Sequence, residues 1–148
     1  MKKHNKVFLA APLFSKSERD FNMEIASTLR QEGYDVWIAQ ESPFIQKGTL
    51  AEKNRIFRTD ISALRSSDIV VAILDGMDVE SGVAFELGYA HCLGKRIIGL
   101  KTDYRAFSRI EDVNLMIEVP MLKICSDVAE VLALLRERER PIFTWRTK

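Results

Sequence analysis

The stretch from Ser81 to Gly94 carries one formal charge, Glu86, set between Phe85 and Leu87. A carboxylate in apolar surroundings gives up hydration, so its presence there needs a reason. One reason is chemical: a partly desolvated carboxylate serves as a nucleophile or general base. The other is structural, a Glu satisfied by backbone amides or by an arginine. Helical spacing with Ser81 as the cap puts Val79, Val83, Leu87 and Ala90 on a buried stripe, and Gly82, Glu86, Tyr89 and Leu93 on an adjoining one. Gly82, one turn before Glu86, leaves open space beside it. Immediately upstream, Asp75, Asp78 and Glu80 crowd into one short loop. They suit recognition of several hydroxyls, a magnesium ion, or an acidic turn that favours the N-terminus of the next helix. Asp60 falls late in a preceding helix, where negative charge opposes the dipole; it is either a functional acid or an ion-pair partner of Arg58 or Arg65.

The sequence has no GxGxxG after its first apolar run and no GxxxxGKS/T, the usual backbone cradles for dinucleotides and nucleoside triphosphates. His4 and His91 have neither a GxSxG serine nor metal-ligand spacing, and His91 reads as a helix-packing residue. Trp37 and Phe44 follow the second strand and are expected to line a pocket for a flat base, with a place in the core as the alternative for Trp37. Gln46 either meets a base edge or is an ordinary surface residue. Lys plus Arg number 22 against 21 Asp plus Glu, so a net charge of +1 provides no broad field for nucleic acid or an anionic membrane. Two cysteines, Cys92 and Cys125, lack the spacing of a zinc site and the density of a secreted disulfide scaffold, which points to reduced thiols in a cytoplasmic protein. No apolar run approaches the roughly 18 residues of a membrane span, and the basic start leads to no signal-peptide core.

Positioning these residues requires a scaffold, and the pattern supplies one. Residues 7–11 are a continuous apolar run stopped by Pro12, as expected of a strand covered on both faces. Ser17 then opens a helix whose Phe21, Ile25 and Leu29 recur every four residues up to Gly33. Residues 34–38 read as a strand, 49–65 as a helix with Ile56, Ile61 and Leu64 inward, and 69–74 as the strongest strand signal. A helix over 81–93 ends at Gly94-Lys95, strands follow over 96–100 and 121–124, and a last helix covers 127–139. The run Arg136 to Arg140 reads as a solvated helix end, and Phe143 and Trp145 as a tail packed on a neighbouring subunit or on the chain's own core. With 148 residues there is length for one domain, spanning 1–148. Strands alternating with helices predict an α/β three-layer sandwich on a five-stranded parallel sheet, flavodoxin-like or Rossmann-like. Ligands of such folds sit at the carboxyl ends of the strands, where the acidic loop falls.

Val7-Phe-Leu-Ala-Ala-Pro-Leu-Phe14, Asp60, Ser67-Asp-Ile-Val-Val-Ala72, Glu80-Ser-Gly-Val-Ala-Phe-Glu-Leu-Gly-Tyr-Ala90, Gly94-Lys95 and Asn114-Leu-Met116 together resemble the nucleoside 2-deoxyribosyltransferases. The same fold and much of the pattern occur in related hydrolases of nucleoside 5'-monophosphates. The resemblance implies that Glu86 is a nucleophile attacking the anomeric carbon of a deoxynucleoside, and that Asp60 exchanges a proton with the nucleobase. It implies that Glu80 contacts the sugar hydroxyls and orients Glu86. It places Asn114 at a neighbouring subunit's sugar site, in a homo-oligomer built from dimers, a tetramer or a hexamer. No metal or organic cofactor is implied. Phe8 stands where many members have a tyrosine that hydrogen-bonds the nucleophile, and Tyr89 is the candidate substitute donor. Glu80 stands where members often have Asp, and where the nucleotide hydrolases have a small hydroxyl residue that receives phosphate. A carboxylate there repels phosphate and favours free nucleosides. The expected function is transfer of 2-deoxyribose between nucleobases in nucleoside salvage. The alternatives are an N-glycosidase acting on deoxynucleosides or 5'-monophosphates, and a non-catalytic sensor of nucleosides or nucleotides.

Overall fold

The computed structural model describes residues 6–137. Five strands, β1 (Lys6–Ala10), β2 (Asp35–Ile38), β3 (Ile69–Ile73), β4 (Arg96–Leu100) and β5 (Lys123–Cys125), alternate with helices α1 (Lys16–Gln31), α2 (Leu50–Ser66), α3 (Ser81–Cys92), α4 (Leu115–Glu118) and α5 (Val128–Arg136). The sheet is parallel throughout in the order β2-β1-β3-β4-β5, with Phe8 paired to both Trp37 and Val70. This is the predicted five-stranded α/β sandwich. Its order reverses between β1 and β3, and the crevice beyond their carboxyl ends is where such sheets bind ligands.

Alternation along each strand divides the core in two. Val7, Leu9, Ile69, Val71 and Ile73 face α1 and α5, whose Ile25, Leu29, Val131 and Leu135 cover them. Phe8, Ala10, Val70, Ala72 and Leu74 face the other way, onto Leu64 of α2 and Val83, Leu87 and Ala90 of α3. All five residues of β3 are buried, which explains its unbroken apolar sequence. Gly99 of β4 allows close packing: a Cβ there would lie 2.7 Å from the Leu74 side chain and 2.9 Å from the Met121 sulfur. Gly94, at φ +66°, closes α3 with the left-handed residue expected after a helix.

The elements depart from the sequence reading at their edges. Ser15, not Ser17, caps α1, because Ser15 and Glu18 satisfy each other's backbone N–H groups in a capping box. Glu80, not Ser81, caps α3. Ile56 and Ile61 are half-buried, leaving Leu64 as the buried residue of α2. His91 is exposed rather than packed. Cys92 is exposed and Cys125 buried, both as free thiols. Arg136 ends α5 in an ion pair with Glu32 at the end of α1, tying the helix to its neighbour rather than leaving it only solvated. His4, residues 138–140 of the charged run, Phe143 and Trp145 lie outside the described residues. Among the described residues no helix is long and apolar enough to cross a membrane.

Candidate active site

Glu86 occupies the middle of α3 and is half-buried. Among the described residues its carboxylate accepts no hydrogen bond, so the structural alternative of a Glu satisfied by amides or an arginine is not what the fold provides. Burial pushes its pKa from the ordinary 4.5 up to about 8, with repulsion from Asp60 and then Glu80 adding to the shift. Asp60 comes from α2, and burial alone raises it to about 6. It forms no ion pair with Arg58 or Arg65 among the described residues. Two helices and a loop thus bring three carboxylates within electrostatic reach of one another.

Glu80 has a second task. Its Oε2 accepts the N–H groups of Gly82 (2.8 Å) and Val83 (3.0 Å), and the Ser81 hydroxyl donates to Oε1 at 3.0 Å. A negative group on the free amides of a helix N-terminus is favoured by hydrogen bonding and dipole together. Gly82 lets the carboxylate sit close: a Cβ there would come within 2.9 Å of Glu80 Oε2. The space beside Gly82 is therefore filled by Glu80 rather than left open next to Glu86.

The other expected contributors are placed differently from one another. Phe8 is fully buried and stacks on Trp37, with ring centroids 4.7 Å apart and planes at 17°. Phe8 presents no surface in the single chain and packs in the layer with Leu64, Val83 and Leu87. Tyr89 stacks on Phe85 and donates no hydrogen bond to Glu86 among the described residues, so it does not replace the missing tyrosine. Asn114 is half-buried and caps α4, its Oδ1 accepting Met116 N–H at 2.9 Å. Gln46 lies exposed in the loop before α2, and its backbone N–H joins those of Lys47 and Gly48 on the Glu52 carboxylate. Asp75 is engaged by backbone amides of the loop after β4, and Asp78 by its neighbour Val79 N–H. Among the described residues no group of three or more His, Cys, Asp or Glu is arranged to hold a metal ion.

Sequence reasoning missed an aromatic row beside the carboxylates. Phe57 of α2 lies 6.1 Å from Phe85 of α3, which stacks 6.4 Å from Tyr89. Phe57 is one turn from Asp60 and Phe85 adjoins Glu86, a spacing that was available to find them. A cavity of about 910 Å3 lies elsewhere, between Trp37 and the Asn54, Arg55, Arg58 and Ser62 side of α2. None of the three carboxylates lines it, so chemistry rather than cavity size locates the site. Phe44 is exposed and lines no described cavity.

Phe8→Tyr tests whether a hydroxyl on this buried ring affects the reaction. The expected result is unchanged or higher kcat with a somewhat lower Tm, because the hydroxyl enters an enclosed aromatic stack and an unpartnered one costs about 1–3 kcal/mol. A folded but inactive variant would show that the site is built around the Phe8 ring.

The family model for nucleoside 2-deoxyribosyltransferase matches residues 7–128. A solved 2-deoxyribosyltransferase from Bacillus psychrosaccharolyticus is 26% identical, covers 93% of this chain and 96% of its own, and superposes with a TM-score of 0.75. A 2-desoxiribosyltransferase from Leishmania mexicana shares the fold at 19% identity and TM-score 0.72, over 91% of this chain and 99% of its own. The CMP N-glycosidase of Clostridium botulinum shares it more loosely, at 21% identity and TM-score 0.55, over 88% and 97%. Comparison with curated protein sequences gives no match.

Proposed function

This chain belongs to the nucleoside 2-deoxyribosyltransferase family, and from that premise we propose that it transfers 2-deoxyribose between nucleobases through a covalent deoxyribosyl ester on Glu86. The observation that carries the reading is Glu86 itself, partly withdrawn from water, accepting no hydrogen bond among the described residues and opposed by Asp60 and Glu80. A carboxylate so disfavoured as an anion is relieved when positive charge develops beside it, as it does at the anomeric carbon of an oxocarbenium-like transition state. In the first displacement a Glu86 oxygen bonds to C1', the bond from C1' to the base nitrogen breaks, and its electron pair leaves with the base. Asp60 supplies the proton that the departing nitrogen takes up. In the second, an incoming base attacks C1', Glu86 departs as carboxylate, and Asp60 recovers a proton. Two inversions give retention.

Free nucleosides fit better than 5'-monophosphates. The amides at the start of α3 would otherwise suit a phosphate, but Glu80 already fills them with a carboxylate. Hydrolysis is the second reading, favoured by the half-exposure of Glu86 in a single chain. A non-catalytic sensor would have no use for such an anion. Exclusion of water calls for a cover, and the exposed Phe57 (53%), Phe85 (54%) and Met116 (75%) support a homo-oligomer whose subunits supply it.

The test is chromatography of the cytoplasmically expressed, purified protein with 2'-deoxyinosine, with and without adenine or cytosine, and with 2'-deoxyinosine 5'-monophosphate as control. A new deoxynucleoside is expected only when an acceptor base is present. Free base released equally without acceptor would make it a hydrolase, and no change in any mixture would point to a binding protein.

Asn114 tests the shared site. Asn114→Ala loses both the α4 cap and the amide, whereas Asn114→Ser keeps a capping oxygen. Both variants are expected to raise KM for the deoxynucleoside, with Tm lowered chiefly in Asn114→Ala. Normal kinetics in both would remove Asn114 from the site.

A further inference from the structure

Two loops at the carboxyl edge of the sheet hold each other through their own carboxylates. Asp75, just beyond β3, accepts hydrogen bonds at Oδ1 from the backbone N–H groups of Thr102 (2.5 Å) and Asp103 (3.1 Å), and at Oδ2 from the Thr102 hydroxyl (2.7 Å). Asp103, just beyond β4, returns the contact by accepting Gly76 N–H at 2.8 Å. Lys101, whose side chain is only 8% exposed, and Arg105 both pair with Asp103. Burial alone would raise the Asp103 pKa, but hydrogen bonds from Lys101, Arg105 and Gly76 outweigh it and hold the group at about 2, so this half of the clamp stays ionised.

The first loop continues to Glu80 and the start of α3, and the second runs on toward Asn114 and α4. Gly76 shapes the turn of the first loop, at φ +128° with the Asp78 carbonyl 3.1 Å from where a Cβ would stand. Resting on the proposed reaction, we propose that Asp75, through its reciprocal clamp with Asp103, is a positioning residue that fixes the loop between β3 and α3 and so keeps Glu80 and Glu86 facing Asp60. Its oxygens are spent on the neighbouring loop, and it acts through Glu80 and α3 rather than by touching substrate.

The comparison that decides this is Asp75→Ala against Asp75→Asn. Asn retains Oδ1 for both amides, and its NH2 group donates to the Thr102 oxygen in place of accepting from it. The clamp therefore persists without its charge. Asp75→Ala is expected to lower kcat about 100-fold with a far smaller change in KM, the cost of a misplacement of about 1 Å. Asp75→Asn is expected to keep most of the activity. Thr102→Val, which removes one bond from an exposed residue, should lower kcat in the same direction by less, and serves if Asp75→Ala does not fold. A second readout needs no turnover: carbon-13 NMR titration of Glu86 should move toward the ordinary carboxylate value in Asp75→Ala and stay in place in Asp75→Asn. Equal damage from Asn and Ala would mean that the charge of Asp75 acts directly, overturning the positioning role. So would a wild-type kcat in Asp75→Ala, or an unmoved Glu86 titration there. If the parent chain transfers no deoxyribose, the proposed reaction falls, while the Glu86 titration still decides whether the clamp positions α3.

Discussion

Glu86→Gln is expected to leave a folded protein whose turnover of deoxynucleosides is lower by on the order of 10⁴-fold or more, because it removes the atom that bonds to C1' and leaves the shape of the site. Acid-quenched parent enzyme incubated with a deoxynucleoside should show the mass of one added deoxyribosyl group, and the variant none. Substantial residual transfer in Glu86→Gln or Glu86→Ala would remove the covalent mechanism. The same substitution is expected to stabilise the fold, with a definite pH dependence. The Glu86 pKa stands at 4.5 unperturbed and about 8 in the folded chain, so folding favours the protonated form. The stability this group contributes is complete below about pH 4.5 and is lost as the pH rises through 8. Gln resembles the protonated side chain at every pH. Its Tm should match the parent's in acid, exceed it increasingly from about pH 5 upward, and level off above about 8. A Tm difference independent of pH would mean that Glu86 is not held as a disfavoured anion. Such an exchange of stability for activity is common where a site is built on strain or desolvation.

The second large effect is on the pH profile. The proposed displacement requires Glu86 ionised and Asp60 protonated, but the order of their pKa values is the reverse, about 6 for Asp60 and about 8 for Glu86. Below 6 both carboxyls are protonated and the nucleophile is absent; above 8 both are ionised and the acid is absent. The profile of kcat/KM should therefore be a bell between these limbs, with only a minor fraction of the singly ionised pair in the productive arrangement. Asp60→Asn removes the acid and also one of the charges that raise Glu86. It is expected to lower kcat by about 10²–10⁴-fold. The alkaline fall should disappear, and the remaining acidic limb, now that of Glu86, should lie below 8. Nucleosides with intrinsically good leaving bases should suffer least. A bell of unchanged shape in Asp60→Asn would mean that Asp60 is not the proton donor.

Much of the scaffold was legible because its signals are local. The unbroken run Ile69 to Leu74 belongs to a strand covered on both sides, and Phe21, Ile25 and Leu29 recur at the spacing of one helical face. Capping was less legible. Ser15 and Ser17 are chemically equivalent candidates, and only the partner Glu18, placed three residues after Ser15, separates them. The cap of α3 was harder to see, since Glu is an uncommon capping residue and its carboxylate folds back against the open face of Gly82. Phe8 was singled out by the resemblance alone; strand alternation points it into the layer under α2 and α3, where Trp37 of a neighbouring strand stacks on it, a packing that only the fold reveals.

The sequence alone determined the class of fold and singled out Glu86, because apolar periodicity and an isolated charge in an apolar helix are properties of neighbouring residues. Only the tertiary structure decided what surrounds that charge: Asp60 from α2, Glu80 folded back on the start of α3, and the Asp75 clamp that ties two loops together. Burial and Coulomb energy depend on distances through space, and the parallel crossovers of the sheet set those distances by bringing sequence-distant segments to one edge.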